Sequence, residues 1–120
     1  MKLKDSLTER SLKKSLQKSK EVLFSGETPY RKILLELQKE KFGLKSAYVL
    51  HYLPEQGEDI YTIITDSYEI VTIEFKRGSY TEAPIRKETI SLDEYRKGLS
   101  RNDLIQLELA TELLSNQGHP

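Results

Sequence analysis

The chain has 120 residues, no cysteine, and 19 acidic against 19 basic side chains, so its formal net charge is zero. This length predicts one domain, spanning residues 1–120, with a core that needs no covalent staples. The lack of cysteine excludes disulfides and thiolate metal sites, and no apolar run is long enough for a membrane span or a signal-peptide core. A cytoplasmic, non-membrane protein is therefore expected.

The charges are divided unevenly along the chain. Residues 1–46 carry twelve Lys and Arg against six Asp and Glu, whereas residues 47–120 carry seven against thirteen. The two parts therefore attract each other across the fold, or each presents a surface of its own sign.

Two helices are predicted in the basic part. Ser6 to Glu9 has the pattern of a capping box, and the following helix, to about Phe24, has a narrow leucine stripe. We therefore predict that residues 1–25 form a peripheral basic helix. A second helix follows Pro29, has a broader apolar face, and ends near Gly43.

From Ser46 the hydrophobic period changes from 3.6 to 2, which predicts strands. The predicted strands span 47–53, 59–65, 68–77 and 85–90, and capping signals at Ser91 and Ser100 predict one or two closing helices. This order predicts an α+β fold. Its four-stranded antiparallel meander would carry two N-terminal and one or two C-terminal helices, packed mainly on one face.

The central hairpin permits a prediction of register. If Asp66 and Ser67 form a two-residue loop, Thr65 lies opposite Tyr68 and Asp59 lies opposite Glu74. Aliphatic side chains would then occupy one face, the core, while Asp59, Glu74 and Lys76 would share the other. Two opposed carboxylates need neutralisation, which Lys76 or a divalent cation would supply.

The spacing Asp59-x14-Glu74-x-Lys76 resembles the Asp…Glu-x-Lys signature of the restriction-endonuclease-like nuclease superfamily. That resemblance implies a metal-dependent nuclease, in which Asp59 and Glu74 hold Mg²⁺ or Mn²⁺ and Lys76 helps to activate water. The pattern covers about eighteen residues. The chain departs from the superfamily because its fourth strand precedes the closing helices.

Other chemistry has little support in the sequence. His51 is a single strand histidine, more typical of a structural residue than of a base, and two histidines give no zinc spacing. The lysines of the first helix could contact phosphates, which makes a nucleic-acid-binding regulator a further alternative. However, no aromatic residue is interleaved with them before Phe24, so bases would find no stacking platform there.

The preferred interpretation is a non-enzymatic protein-binding module without a cofactor, although an enzyme remains an alternative. It looks like the class of bacterial immunity proteins and antitoxins, inhibitors that would block a basic toxin or nuclease domain. Its oligomeric state stays open. The residues predicted to contact the partner are Asp59, Tyr61, Asp66, Tyr68, Glu69, Thr72, Glu74 and Lys76.

Overall fold

The computed structural model describes residues 7–40, 43–79 and 83–117. The four strands form one open antiparallel sheet in the order β1-β2-β3-β4, so the predicted α+β meander is confirmed. In chain order the elements are α1 (Leu7–Leu23), α2 (Tyr30–Glu40), β1 (Ala47–Glu55), β2 (Glu58–Thr65), β3 (Glu69–Lys76), β4 (Arg86–Ser91), α3 (Leu92–Arg96) and α4 (Arg101–Gln117).

The capping residues of the C-terminal helices are confirmed. The Ser91 hydroxyl accepts a hydrogen bond from the Glu94 amide at 3.1 Å, and the Ser100 hydroxyl accepts one from the Asp103 amide at 3.2 Å. Each bond satisfies a backbone donor that has no partner inside its helix. The predicted cap at Ser6 lies outside the described residues.

Both faces of the sheet are buried near the β2–β3 turn. Tyr48, Ile64 and Ile70 mark the front face, where α4 covers them. Ile63 and Val71 mark the back face, where α2 covers them. The helices are thus divided between the two faces, which differs from the predicted packing mainly on one face. The cause is that neighbouring residues of a strand point to opposite sides, and here both sides are apolar.

Helix α1 lies along the outer edge of β1 and joins the two sides. Its Leu16 belongs to the front core cluster and its Leu23 to the back one. Between them, the Ser19 hydroxyl accepts a hydrogen bond from the Val49 amide at 3.0 Å. An edge strand that would otherwise offer unpaired backbone groups is therefore covered.

The strand β1 is irregular next to this contact. Its pairing with β2 shifts by one residue between Val49 and His51, so Leu50 lies in a bulge. The Leu50 carbonyl accepts a hydrogen bond from the Gln106 side chain of α4 at 2.9 Å. A bulge leaves a backbone group outside the ladder, and α4 supplies its partner.

Candidate functional site

The β2–β3 turn has three residues, Asp66, Ser67 and Tyr68, so the predicted two-residue loop is wrong. The Tyr68 amide donates to the Thr65 carbonyl at 2.9 Å, and Tyr68 adopts a left-handed backbone conformation with φ of 61°. This geometry is typical of a three-residue hairpin loop that closes with a left-handed residue. As a result, Asp59 lies opposite Phe75, and Ile60 lies opposite Glu74.

The one-residue difference separates the residues that were predicted to act together. Opposed residues share a face, so Asp59 lies on the back face with Phe75, whereas Glu74 and Lys76 lie on the front. The predicted cluster of Asp59, Glu74 and Lys76 is therefore wrong. The resemblance to the nuclease signature loses the geometry on which it depended.

Asp59 has a structural environment instead. It is only 2% exposed, and one of its carboxylate oxygens accepts from the Tyr52 hydroxyl at 2.8 Å and from Arg77 Nε at 3.1 Å. Arg77 also donates to the Glu55 and Glu58 carbonyls at 3.0 and 3.1 Å. The network fixes the β1–β2 turn. The hydrogen bond to Asp59 raises the pKa of the Tyr52 hydroxyl.

The predicted contact residues of the turn are engaged within the chain. One Asp66 carboxylate oxygen accepts from the Lys45 and Ser46 amides at 3.0 and 3.3 Å. The Tyr68 hydroxyl lies 2.9 Å from the Ser115 hydroxyl of α4, and Glu69 accepts from Ser67 at 3.0 Å. These contacts anchor the turn at one end of the sheet, and Tyr61 is buried on the back face. The predicted contact residues therefore do not share one surface.

Three of them, Thr72, Glu74 and Lys76, lie on the front face beyond the part that α4 covers. We call this region the open half. Three rows of opposed residues cross it: His51, Thr62, Thr72 and Glu88; Leu53, Ile60, Glu74 and Arg86; and Glu55, Glu58 and Lys76.

The open half has an apolar centre that lies outside the core. Leu53 is 51% exposed, Ile60 is partly exposed, and neither belongs to either of the two core clusters. Polar and charged residues surround this pair. An apolar centre with a polar rim is the usual composition of a protein-binding surface.

The charges of the open half are unbalanced. Four glutamates face one lysine and one arginine across the three rows. Arg86 Nε lies 3.9 Å from Glu74 and 3.6 Å from Glu88, so one cation serves two carboxylates. A hydrogen bond with the Glu74 carboxyl raises the pKa of Glu58, and partial desolvation and the charges of Glu74 and Glu55 raise it further. The neighbouring carboxyls therefore disfavour the ionised form of Glu58.

Among the residues that the structure describes, the open half holds no cluster of metal ligands. Within residues 7–40, 43–79 and 83–117, no group of three or more His, Cys, Asp or Glu side chains could hold a metal ion. His51 Nε2 lies 3.6 Å from Asp103 of α4, and both side chains are partly exposed. This contact links β1 to α4.

A second surface lies on the back, between α1 and the edge of the sheet. It is a groove of about 270 Å³, which we call the tyrosine groove. Its lining combines one face of α1 with side chains from α2, β1 and β2: Ser15, Lys18, Ser19, Val22, Tyr30, Val49, Tyr52 and Tyr61.

Comparison with known proteins found no similarity that would identify the chain. No protein-family model matches it, and no curated protein or solved structure matches it either. None of the helices that the structure describes is long and apolar enough to cross a membrane.

Sequence reasoning missed most of the residues that complete the open half, namely Leu53, Glu55, Glu58, Ile60, Thr62, Arg86 and Glu88. Five of them lie directly opposite Thr72, Glu74 or Lys76, so the correct register would have identified them, whereas Leu53 and Glu55 lie one strand further away. A clear register signal was missing because no glycine marks the left-handed position of the turn, which Tyr68 occupies.

Proposed function

We propose that the protein is a non-enzymatic binding module that docks a basic protein partner on its open half. The observation that carries this proposal is the adjacent pair of carboxyls, Glu58 and Glu74, on a partly exposed region of the front sheet face. A cationic side chain of a partner would relieve their mutual repulsion and would also gain a charge-assisted hydrogen bond.

The surrounding residues support a protein as the partner. Leu53 and Ile60 offer an apolar centre that a partner's side chains would desolvate, and such contacts supply most of the affinity of an interface. The excess of glutamate would attract a basic surface and speed the encounter. Nucleic acid does not suit this surface, because its phosphates would meet the same carboxylates.

Within this proposal, the protein acts as an inhibitor of the immunity-protein or antitoxin type. A toxin or nuclease that acts on nucleic acid has a cationic cleft, and an acidic sheet face would cover it. The proposal also places the protein in the bacterial cytoplasm, where such an inhibitor would protect its own cell. A cysteine-free chain suits a reducing compartment.

The test is affinity purification of the tagged protein from its source cells, followed by co-expression with the protein that it captures. We expect a stoichiometric basic protein that is toxic when expressed alone and is neutralised by this chain. The double variant Glu58→Lys and Glu74→Lys should weaken binding by at least about ten-fold, because like charges would then face each other.

Combined Glu21→Lys and Glu27→Lys is the matched control, because both residues are exposed outside the open half and the total change of charge is the same. It should retain both capture and neutralisation. If no stoichiometric partner is captured, or if the double variant neutralises the partner as well as the control does, the open half is not the docking surface.

A further inference from the structure

The tyrosine groove brings aromatic rings to the basic helix, where the sequence alone shows none. Tyr52 and Tyr61 stack with ring centroids 4.9 Å apart and an interplanar angle of 28°. Tyr30 meets Tyr61 edge to face at 6.3 Å. Tyr61 is buried beneath these neighbours, whereas Tyr52 is 51% exposed. The cluster therefore presents one accessible ring on a fixed support.

The accessible ring is held in place. The Tyr52 hydroxyl donates to Asp59 at 2.8 Å, and the same carboxylate oxygen accepts from Arg77 Nε at 3.1 Å. Asp59 is buried, so its position is fixed by the sheet. A ring that is already ordered loses little conformational entropy when a ligand stacks on it.

Positive charges lie near this ring, in the groove and at its hydroxyl end. Lys18 of α1 lines the groove, and Lys14 lies one helical turn before it on the same helix. At the hydroxyl end, Arg77 is about half exposed and adjoins Tyr52 through Asp59, with which it forms an ion pair, and it also donates to the Glu55 and Glu58 carbonyls. Lys18 also lies 3.9 Å from Glu21, but both side chains are about three-quarters exposed, so water screens this pair strongly.

We propose that the tyrosine groove binds single-stranded nucleic acid. A base would stack on the exposed side of Tyr52, and the phosphates on either side of that base would meet Lys18 and Arg77. An exposed ring combined with cationic side chains is an arrangement by which single strands are bound without regard to sequence. This site lies on the opposite side of the sheet from the open half, so the two proposals stand independently.

The experiment measures fluorescence anisotropy of a labelled oligothymidylate of about 12 nucleotides, a length within the range of known single-strand sites. At low salt we expect saturable binding that a duplex of the same length does not match. The variant Tyr52→Leu should weaken binding roughly five-fold or more, because base stacking on an aromatic ring is lost. Tyr52→Phe keeps the ring but loses the hydrogen bond that orders it, so it should weaken binding less than Tyr52→Leu does.

Lys18→Gln tests the phosphate contact. It should weaken binding and should reduce the slope of log affinity against log salt concentration by about 0.7, the value for one phosphate contact on a single strand. Lys97→Gln is the matched control, since Lys97 is exposed next to α3 and away from the groove. It should leave both affinity and slope unchanged.

Three results would overturn the proposal. They are the absence of oligonucleotide binding at low salt, equal affinity for the duplex, and equal loss of affinity in Lys18→Gln and Lys97→Gln. Circular dichroism of each variant separates lost binding from lost folding. Should Tyr52→Leu fail to fold, the comparison of Lys18→Gln with its control still decides the question.

Discussion

The Glu36 carboxylate is, with Asp59, one of the most strongly enclosed charges among the described ion pairs, and it links α2 to the sheet. It is only 3% exposed and lies 2.9 Å from Lys39 Nζ, 3.2 Å from Lys32 Nζ and 3.5 Å from Lys87 Nζ of β4. Burial raises the pKa of Glu36, but hydrogen bonds and charges from Lys39 and Lys32 lower it by more, so the net change is downward. The lysines thus favour the ionised form.

We predict that Glu36→Gln lowers the free energy of unfolding by about 1–3 kcal/mol at neutral pH, since charge-assisted hydrogen bonds are lost. The folded pKa is depressed, so the contribution of Glu36 is present above its ordinary value of 4.5 and is lost as pH falls through the folded pKa. Urea unfolding at a series of pH values should therefore show a shallower acid dependence in the variant.

Glu21→Gln is the control for this prediction. Glu21 pairs with Lys18 on the surface of α1, where both side chains are about three-quarters exposed. Removing such a pair changes stability by less than about 0.5 kcal/mol. Equal effects of the two substitutions would mean that Glu36 does not hold α2 against the sheet.

At the scale of elements, the β2–β3 turn decides which residues meet. Tyr68 carries the left-handed conformation, with φ of 61°, that glycine adopts without strain. A bulky residue with a Cβ is destabilised by about 1–2 kcal/mol in this conformation. The structure tolerates this because the Tyr68 hydroxyl reaches Ser115 at 2.9 Å and so ties the turn to α4.

We therefore predict that Tyr68→Gly is more stable than Tyr68→Val by at least about 1 kcal/mol, because valine is strained at positive φ. Both variants lack the hydroxyl, so thermal unfolding of the pair isolates the backbone effect. Ser115→Ala measures the contribution of the hydroxyl contact separately. Equal stability of the glycine and valine variants would show that position 68 is not held in the left-handed conformation.

The β2–β3 turn also separates the features that could be predicted from the sequence from those that could not. The strands and helices follow from local patterns, such as the change of hydrophobic period at Ser46 and the caps at Ser91 and Ser100. The register of the hairpin does not follow from the sequence. Glycine at the left-handed position would have indicated the three-residue loop, but position 68 is tyrosine. The predicted register was wrong by one residue. It therefore assigned the β2 side chains to the wrong face relative to β3 and placed Asp59 on the face of Glu74.

The division of the helices between the two faces of the sheet could not be predicted, for a related reason. A sheet with one buried face alternates apolar and polar residues, whereas here the neighbours Ile63 and Ile64 are both buried, as are Ile70 and Val71. A count of aliphatic residues cannot identify the core face when both faces are core. The open half was recognisable only in part, since the residues that define it come from all four strands.

At the scale of the whole molecule, the uneven charge of the sequence becomes two separate surfaces. The open half comes entirely from β1 to β4, within the acidic residues 47–120, and carries an excess of glutamate. The tyrosine groove takes Lys18 from the basic residues 1–46. A formally neutral protein can therefore offer surfaces of opposite sign on opposite sides of its sheet.

The two core clusters should nevertheless unfold as one unit. They are built from alternate residues of the same strands, and α1 contributes Leu16 to the front cluster and Leu23 to the back one. Because both leucines are fully buried, truncating either one creates a cavity next to the shared strands. We predict that Leu16→Ala and Leu23→Ala each lower the free energy of unfolding by about 2–5 kcal/mol.

Native-state hydrogen exchange would test the coupling through residues on each face. Ile70 and Val71 are neighbours in β3. The side chain of Ile70 belongs to the front cluster and that of Val71 to the back cluster, so their two amides report on the two faces. Either leucine substitution should reduce the protection of both amides by the same free energy, because they become exposed in one cooperative opening. Leu7→Ala, at a position 80% exposed on the same helix, should change neither by more than about 0.5 kcal/mol. Loss of protection confined to Val71 in Leu23→Ala would instead mean that the two sides of the sheet open separately.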